Sequence, residues 1–311
     1  MLNLQRADEI FAIGKSLIED YAIQAIMLPL YYPEFAIAGY RLHKRFGIPY
    51  YVWESDDWDV IYNTTPGVRR AVSKLHPALL RESQVTWMTS HNMITHHRKH
   101  FGVDGKFLFN FVDTGRFSSA ERKELLPGQS LRIVYTGAIN EMFASSMQRI
   151  CALLNRGVVV GGRCVQLTIY TNCETENYEG LHVRSGGFVT HAEIPRILAA
   201  ADMLLVAVAF EEKPAIMKMI KTSLYTKTIE YLASSRPILY FGPRDTAQYD
   251  YFSPFMKCIT TNSDQAFVAA LEEIAVDSSA DALCQAGREF IRENHSLESL
   301  ERNILDHFRR T

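Results

Sequence analysis

The chain has 311 residues, of which 47% are hydrophobic and 22% charged, a length and balance that suit two ordinary globular domains. Its net charge of −2 excludes a global pull toward nucleic acid, so no nucleic-acid partner is expected. The five cysteines (151, 164, 173, 258 and 284) form no CxxC and have no histidine pair at zinc spacing, which excludes a zinc-finger class and reads as reduced thiols of a cytoplasmic protein.

Helical periodicity runs over residues 7–21, and residues 23–28 read as a buried strand. Residues 21–40 are apolar and nearly long enough to span a bilayer, but Gln24, Pro29, Pro33 and Glu34 interrupt them. Strand, loop and helix 34–46, ending at Gly47, explain that stretch better. A strand at 48–53 leads into the acidic loop "ESDDWD", and a helix over 67–81 follows, bent at Pro77. Strand 84–88, helix 92–101 and strand 106–109 complete a run of αβ units, so the sheet should be mostly parallel.

"NFVDTGRF", residues 110–117, breaks this rhythm. A second series then opens with strand 131–135 leading to Thr136-Gly137, helix 142–155 and strand 165–170. Gly186-Gly187-Phe188-Val189 precedes helix 192–200, and strand 203–208 follows. "SLYTKTIEYLASSRPIL" supplies a helix beginning near Lys227 and a strand at 238–241, with helices 267–274, 281–293 and 297–307 closing the chain. The reading is α/β with two Rossmann-like domains, 1–112 and 113–311, and a ligand at the carboxyl ends of the strands, in the cleft between them.

Lys227 and Glu230 are three apart, which places both on one face of the first helical turn, where free backbone N–H groups attract anions. A solvated surface pair has the same spacing, so the residues alone leave both readings open.

Four stretches occur in order: "HKRFGIPYYVWESDDW", "SQVTWMTSHNMITHHRKHFG" with "KFLFNFVDTGRF", "LRIVYTGAI", and "GFVTHAEIPRILAAADMLLVAV" followed by the Lys227 stretch. This order resembles the GT-B glycosyltransferases of glycosyltransferase family four. The hinge motif of that family falls on Asn110, Val112, Asp113 and Phe117, and its Lys-x-x-Glu-Tyr helix start on Lys227, Glu230 and Tyr231. The resemblance implies a transferase of hexosyl or related type in polysaccharide biosynthesis. It would move a sugar from a nucleotide-diphosphate sugar to a glycan or lipid-linked acceptor, with retention. It implies that Glu230 binds the ribose hydroxyls, an acceptor-only carboxylate taking both protons. The N–H groups around Ser223, Thr226, Lys227 and Thr228 would face the diphosphate, Gly137 would let it approach, and Gly187, Phe188 and Val189 would hold the base. Lys218, Lys221 and Lys227 would neutralise the departing phosphate, and Asp56 or Asp57 would stabilise the transition state or orient the acceptor hydroxyl. A solvated acidic loop is the plainer account of Asp56-Asp57.

The chain departs from the family pattern in places. Position 222 is Thr where a second glutamate is usual, and "INEMFASSMQ" lacks the usual Arg and Lys after Gly137. The first domain opens at a helix that normally follows earlier strands, so it is expected to be incomplete and to expose an apolar sheet edge. No cofactor or metal is expected, because no Asp-x-Asp adjoins the phosphate site; Asp57-Trp58-Asp59 has that form but falls in the opposite domain. His96 and His100 are i,i+4, yet no carboxylate is placed with them, so they read as a solvated helix face. With Arg69, Arg70, Lys74 and Arg81 they admit a basic patch for peripheral contact with the inner membrane face. The rival readings are a catalytically weak nucleotide-sugar-binding or scaffold protein and a sugar-nucleotide epimerase of the same fold.

Overall fold

The computed structural model describes residues 4–58, 66–117, 129–210, 213–276 and 279–308. Asp59, Glu211 and Glu212, and the side chains of Arg69 and Arg70, lie outside the described residues. The chain divides into two compact units. One comprises Met1–Phe109 with Met217–Leu224, the other Asn110–Ile216 with Tyr225–Thr311.

The first unit runs α1 (Leu4–Asp20), β1 (Ile26–Pro29), α2 (Pro33–Phe46), β2 (Tyr50–Glu54), α3 (Pro66–Glu82), β3 (Thr86–Met88), α4 (His91–Phe101) and β4 (Lys106–Phe107). Its four strands pair in parallel in the order β1-β2-β3-β4. Local chemistry sets the boundaries. Gly47 ends α2 at φ 70°, a conformation that costs glycine nothing. Ser90 caps α4 by accepting the Met93 N–H at 3.0 Å. Tyr50, Val52, Trp58, Leu79, Met88 and Met93 form the core, and buried Trp58 satisfies its indole N–H on the Leu30 carbonyl at 2.7 Å. On the edge strand β1, Met27 is 45% exposed.

The second unit contains β5 (Leu131–Thr136), α5 (Ala144–Leu154), β6 (Val159–Val160), β7 (Arg163–Tyr170), β8 (Val183–Gly187), α6 (Ile194–Ala199) and β9 (Met203–Ala207). Helix α7 (Pro214–Thr222) then carries the chain into the first unit's residues 217–224. The chain returns with α8 (Lys227–Ala233), β10 (Ile238–Phe241), α9 (Ala247–Phe252), β11 (Lys257–Ile259), α10 (Asp264–Val276), α11 (Ser279–Asn294) and α12 (Leu297–Phe308). The sheet order is β11-β10-β9-β5-β7, with β8 parallel to β7 and the short β6 antiparallel to it. Strands β9 and β10 are buried at every position, so they appear in the sequence as unbroken apolar runs.

The hinge motif belongs wholly to the second unit. The Val112 N–H donates to the His295 carbonyl at 2.8 Å, and the His295 Nδ1 lies 3.0 Å from the Asn110 carbonyl. Asp113 caps the turn Thr114–Arg116 through the Gly115 N–H, and Arg288 donates to the Phe117 carbonyl at 3.1 Å. These bonds tie residues 110–117 to the second unit, which begins at Asn110.

Candidate functional site

The carboxyl ends of β5 and β7, the segment after β8, the start of α8 and the hinge residues Asn110 and Phe111 surround a cavity of about 510 Å³ in the second unit. That is the volume of one small-molecule site. Its floor is the turn after β5. The Thr136 N–H is held by the buried Tyr231 hydroxyl at 2.7 Å, and Gly137 follows at φ 114° with its N–H on the Tyr170 carbonyl. Only glycine adopts that φ cheaply, and a β-carbon there would lie 3.6 Å from Lys227 Nζ.

Lys227 rises into this floor. Its stem is partly exposed, but Nζ is buried and makes no hydrogen bond among the described residues. The ammonium lies 3.7 Å from the centre of the Tyr135 ring and 4.4 Å from that of Phe143. Ring faces attract a cation but leave its three N–H donors unused. Burial pushes the Lys227 amine down from 10.5 to about 7. A buried amine with aromatic walls and no acceptor among the described residues is poised to take up a proton when an anionic partner arrives.

Glu230 lines the same cavity, and the surface Lys227–Glu230 pair that spacing allowed is absent: its carboxylate is 2.8 Å from His191 Nε2. Arg116 reaches His191 twice, Nη1 to the ring Nδ1 at 3.1 Å and Nη2 to the backbone carbonyl at 3.0 Å. A guanidinium only donates, so Nδ1 accepts, the ring proton sits on Nε2, and His191 donates to Glu230. Burial raises the Glu230 carboxyl's pKa, while His191 and Arg116 oppose that shift.

The cavity brings together Gly137, Phe188, Val189, Thr226, Lys227 and Glu230. Gly187 adjoins it in sequence and is not among its lining residues. Thr228 is a correction. Its N–H donates to the Tyr225 carbonyl and its hydroxyl accepts from Gln248, so neither faces a ligand. The physical reason is that α8 opens with a tight turn, which engages the Thr228 N–H within the chain, and spans only seven residues. Lys218, Lys221, Ser223, Asp56 and Asp57 all lie in the first unit, the two lysines exposed. There the Ser223 hydroxyl donates to Asp56 at 3.1 Å, and burial, aided by the Glu54 charge, raises the Asp56 carboxyl's pKa. Asn110 of the hinge motif also lines the cavity, as do Phe111, Tyr170, Thr171, Asn172 and His191, for which the sequence carried little signal; only the "VTHAE" placement just after the Gly-Gly-Phe loop hinted at His191.

A second cluster of polar side chains is buried in the first unit. Glu54, at the end of β2, has one oxygen 2.8 Å from His76 Nε2 and the other 3.0 Å from His97 Nε2. Burial alone would raise the Glu54 carboxyl's pKa, but the charges of both imidazoles and their hydrogen bonds outweigh it and hold the carboxyl below the usual range. The solvated-face reading is corrected at His96, while His100 is exposed as that reading expects. His97 is fully buried, and His96 lies 3.5 Å from Asp57, a carboxylate that sequence spacing did not place there.

Residues 145–306, just over half of the chain, match the glycosyl transferase-like family. The chain belongs to that glycosyl transferase-like family. The matched span carries β7, the Phe188 segment and the Lys227–Glu230 helix of this glycosyl transferase-like chain. No curated protein matches the chain. Among solved structures it is similar to sucrose-phosphate synthase from Thermosynechococcus elongatus, with a TM-score of 0.76 at 14% identity over 98% of this chain and 77% of that one. It is also similar to HepE from Anabaena in complex with UDP and glucose, with a TM-score of 0.69 at 10% identity over 96% and 81%. A glycosyltransferase from Rickettsia africae gives 0.68 at 12% identity over 99% and 80%. The glycosyl transferase-like chain thus has the α/β fold of two Rossmann-like units, GT-B, that these structures share.

Proposed function

We propose that the protein transfers a sugar from a nucleotide-diphosphate sugar, bound in the second unit's cavity, to a glycan or lipid-linked acceptor with retention. The observation that carries this reading is Lys227: a buried amine that makes no hydrogen bond among the described residues, on the floor of a ligand-sized cavity beside a carboxylate. A diphosphate supplies the missing acceptors and charge, and ribose hydroxyls supply the donors that Glu230 accepts. HepE, of the same fold, binds UDP, so uridine diphosphate is the first probe. Negative charge grows on the departing phosphate in the transition state, where a desolvated Lys227 acts most strongly. Asp56 is kept as the residue that would orient the acceptor hydroxyl, the neighbouring Asp57 being almost fully buried. We place the enzyme in the cytoplasm in polysaccharide biosynthesis, meeting lipid-linked acceptors at the inner membrane face; no described helix is long and apolar enough to cross a membrane.

The test is a calorimetric titration of uridine diphosphate into wild type and Glu230→Gln, run without chelator, with chelator, and with magnesium added back. The substitution keeps shape and removes charge, so affinity should fall by about 1.5–3 kcal/mol, roughly 10- to 150-fold. Equal affinities in the two proteins would remove Glu230 from the site. Binding that chelator abolishes and magnesium restores would contradict a metal-independent donor site.

A further inference from the structure

A second group of side chains lies outside the family match and outside the donor cavity. Asp57, His96 and His97 each offer a ligating atom, and these atoms lie within 4.8 Å of one another. Asp57 and His97 are buried, while the His96 side chain is 23% exposed and opens the cluster to solvent. His97 is anchored from behind: its Nε2 is 3.0 Å from Glu54, whose other oxygen is 2.8 Å from His76 Nε2. Its Nδ1 is buried and makes no hydrogen bond among the described residues. A carboxylate holding one ring nitrogen while the other stands open is the arrangement that orients metal-binding histidines.

We propose that Asp57, His96 and His97 bind one divalent transition-metal ion of the zinc class, with Glu54 and His76 positioning His97. Two imidazoles and a carboxylate are a zinc-type ligand set. The charges balance: Asp57 and Glu54 carry two negative charges, the ion two positive, and the imidazoles are neutral ligands. The ion would fasten the acidic loop after β2 to α4 within the first unit. It is a structural ion, separate from the donor cavity, so its presence is compatible with metal-independent nucleotide binding.

The test uses the full chain, stripped with chelator and titrated with cobalt and then zinc. One equivalent of cobalt with visible d–d bands, displaced by zinc, is expected, along with a higher melting temperature in zinc. His96→Ala, at the partly exposed ligand, should keep the fold and lose affinity by at least about a hundredfold, no less than losing an outer-shell partner costs. X-ray absorption of the zinc-loaded wild type should show imidazole and oxygen ligands without sulfur, a readout that needs no variant. No stoichiometric binding, sulfur ligation, or unchanged affinity in a folded His96→Ala would each overturn the site.

Discussion

Replacing Lys227 with methionine is expected to raise the stability of the ligand-free protein while weakening its affinity for nucleoside diphosphates. The amine titrates near 7 in the folded chain and at 10.5 when unfolded. Between those values the unfolded chain holds a proton that the folded chain lacks, so wild-type stability rises with pH through the window and is lowest below 7. The interval corresponds to on the order of 5 kcal/mol, and the Tyr135 and Phe143 ring faces offset roughly 1–2 kcal/mol of it. Methionine fills similar space without the charge, so the variant should gain about 3 kcal/mol at pH 7, a rise of roughly 5–10 °C in the second unit's transition. Its stability should also lose the rise from pH 7 to 10.5. Denaturant melts across that range check both statements, and a variant no more stable than wild type would count against a desolvated, unpaired Lys227. On the proposed function, stability and binding are opposed at this residue: the charge that weakens the empty fold is the one offered to the phosphate.

Acid should loosen the hinge segment through His295. Burial, partly offset by the hydrogen bond to Asn110, pushes its imidazole down from 6.5 to about 4. Both nitrogens are engaged, Nδ1 with the Asn110 carbonyl and Nε2 with the Tyr251 hydroxyl at 3.0 Å. The unfolded chain therefore takes up a proton that the folded chain refuses between pH 6.5 and 4. Stability falls as pH drops through that window, by about 3 kcal/mol in total. Carboxylates add their own acid loss, so the comparison is with His295→Gln, which should shed about one proton's worth of slope between pH 6.5 and 4. Identical slopes in the two proteins would show that His295 does not report on this window. Because Asn110 and Phe111 line the cavity, nucleotide affinity should weaken over the same pH range.

Part of this site was legible in the chain. Lys227 and Glu230 stand on one short helix, so local spacing sufficed to place them on one turn, and Gly137 follows a largely buried strand whose apolar run is visible in the sequence. What spacing could not reveal is the environment of each. Tyr135 and Phe143, which bury the amine, lie about ninety positions earlier in the sequence, and His191, which holds Glu230, lies on another loop. Strand β8 escaped notice because four of its five residues are exposed and carry no alternation. The return of residues 217–224 to the first unit was not legible, because α7 continues across the change with no break in its pattern. Similarly, the Glu54–His76–His97 triad joins a strand end to two helices, so only the folded chain shows it.

The central claim is that the cavity's anion site is a deprotonated, buried Lys227 that recaptures its proton when a diphosphate arrives. Calorimetric titration of uridine diphosphate at pH 8, repeated in buffers of different ionisation enthalpy, measures that proton directly. With an amine near 7 in the free protein, close to one proton should be taken up per nucleotide bound by wild type, and none by Lys227→Met at concentrations that still saturate it. Binding by wild type without proton uptake, or equal uptake by the variant, would contradict it.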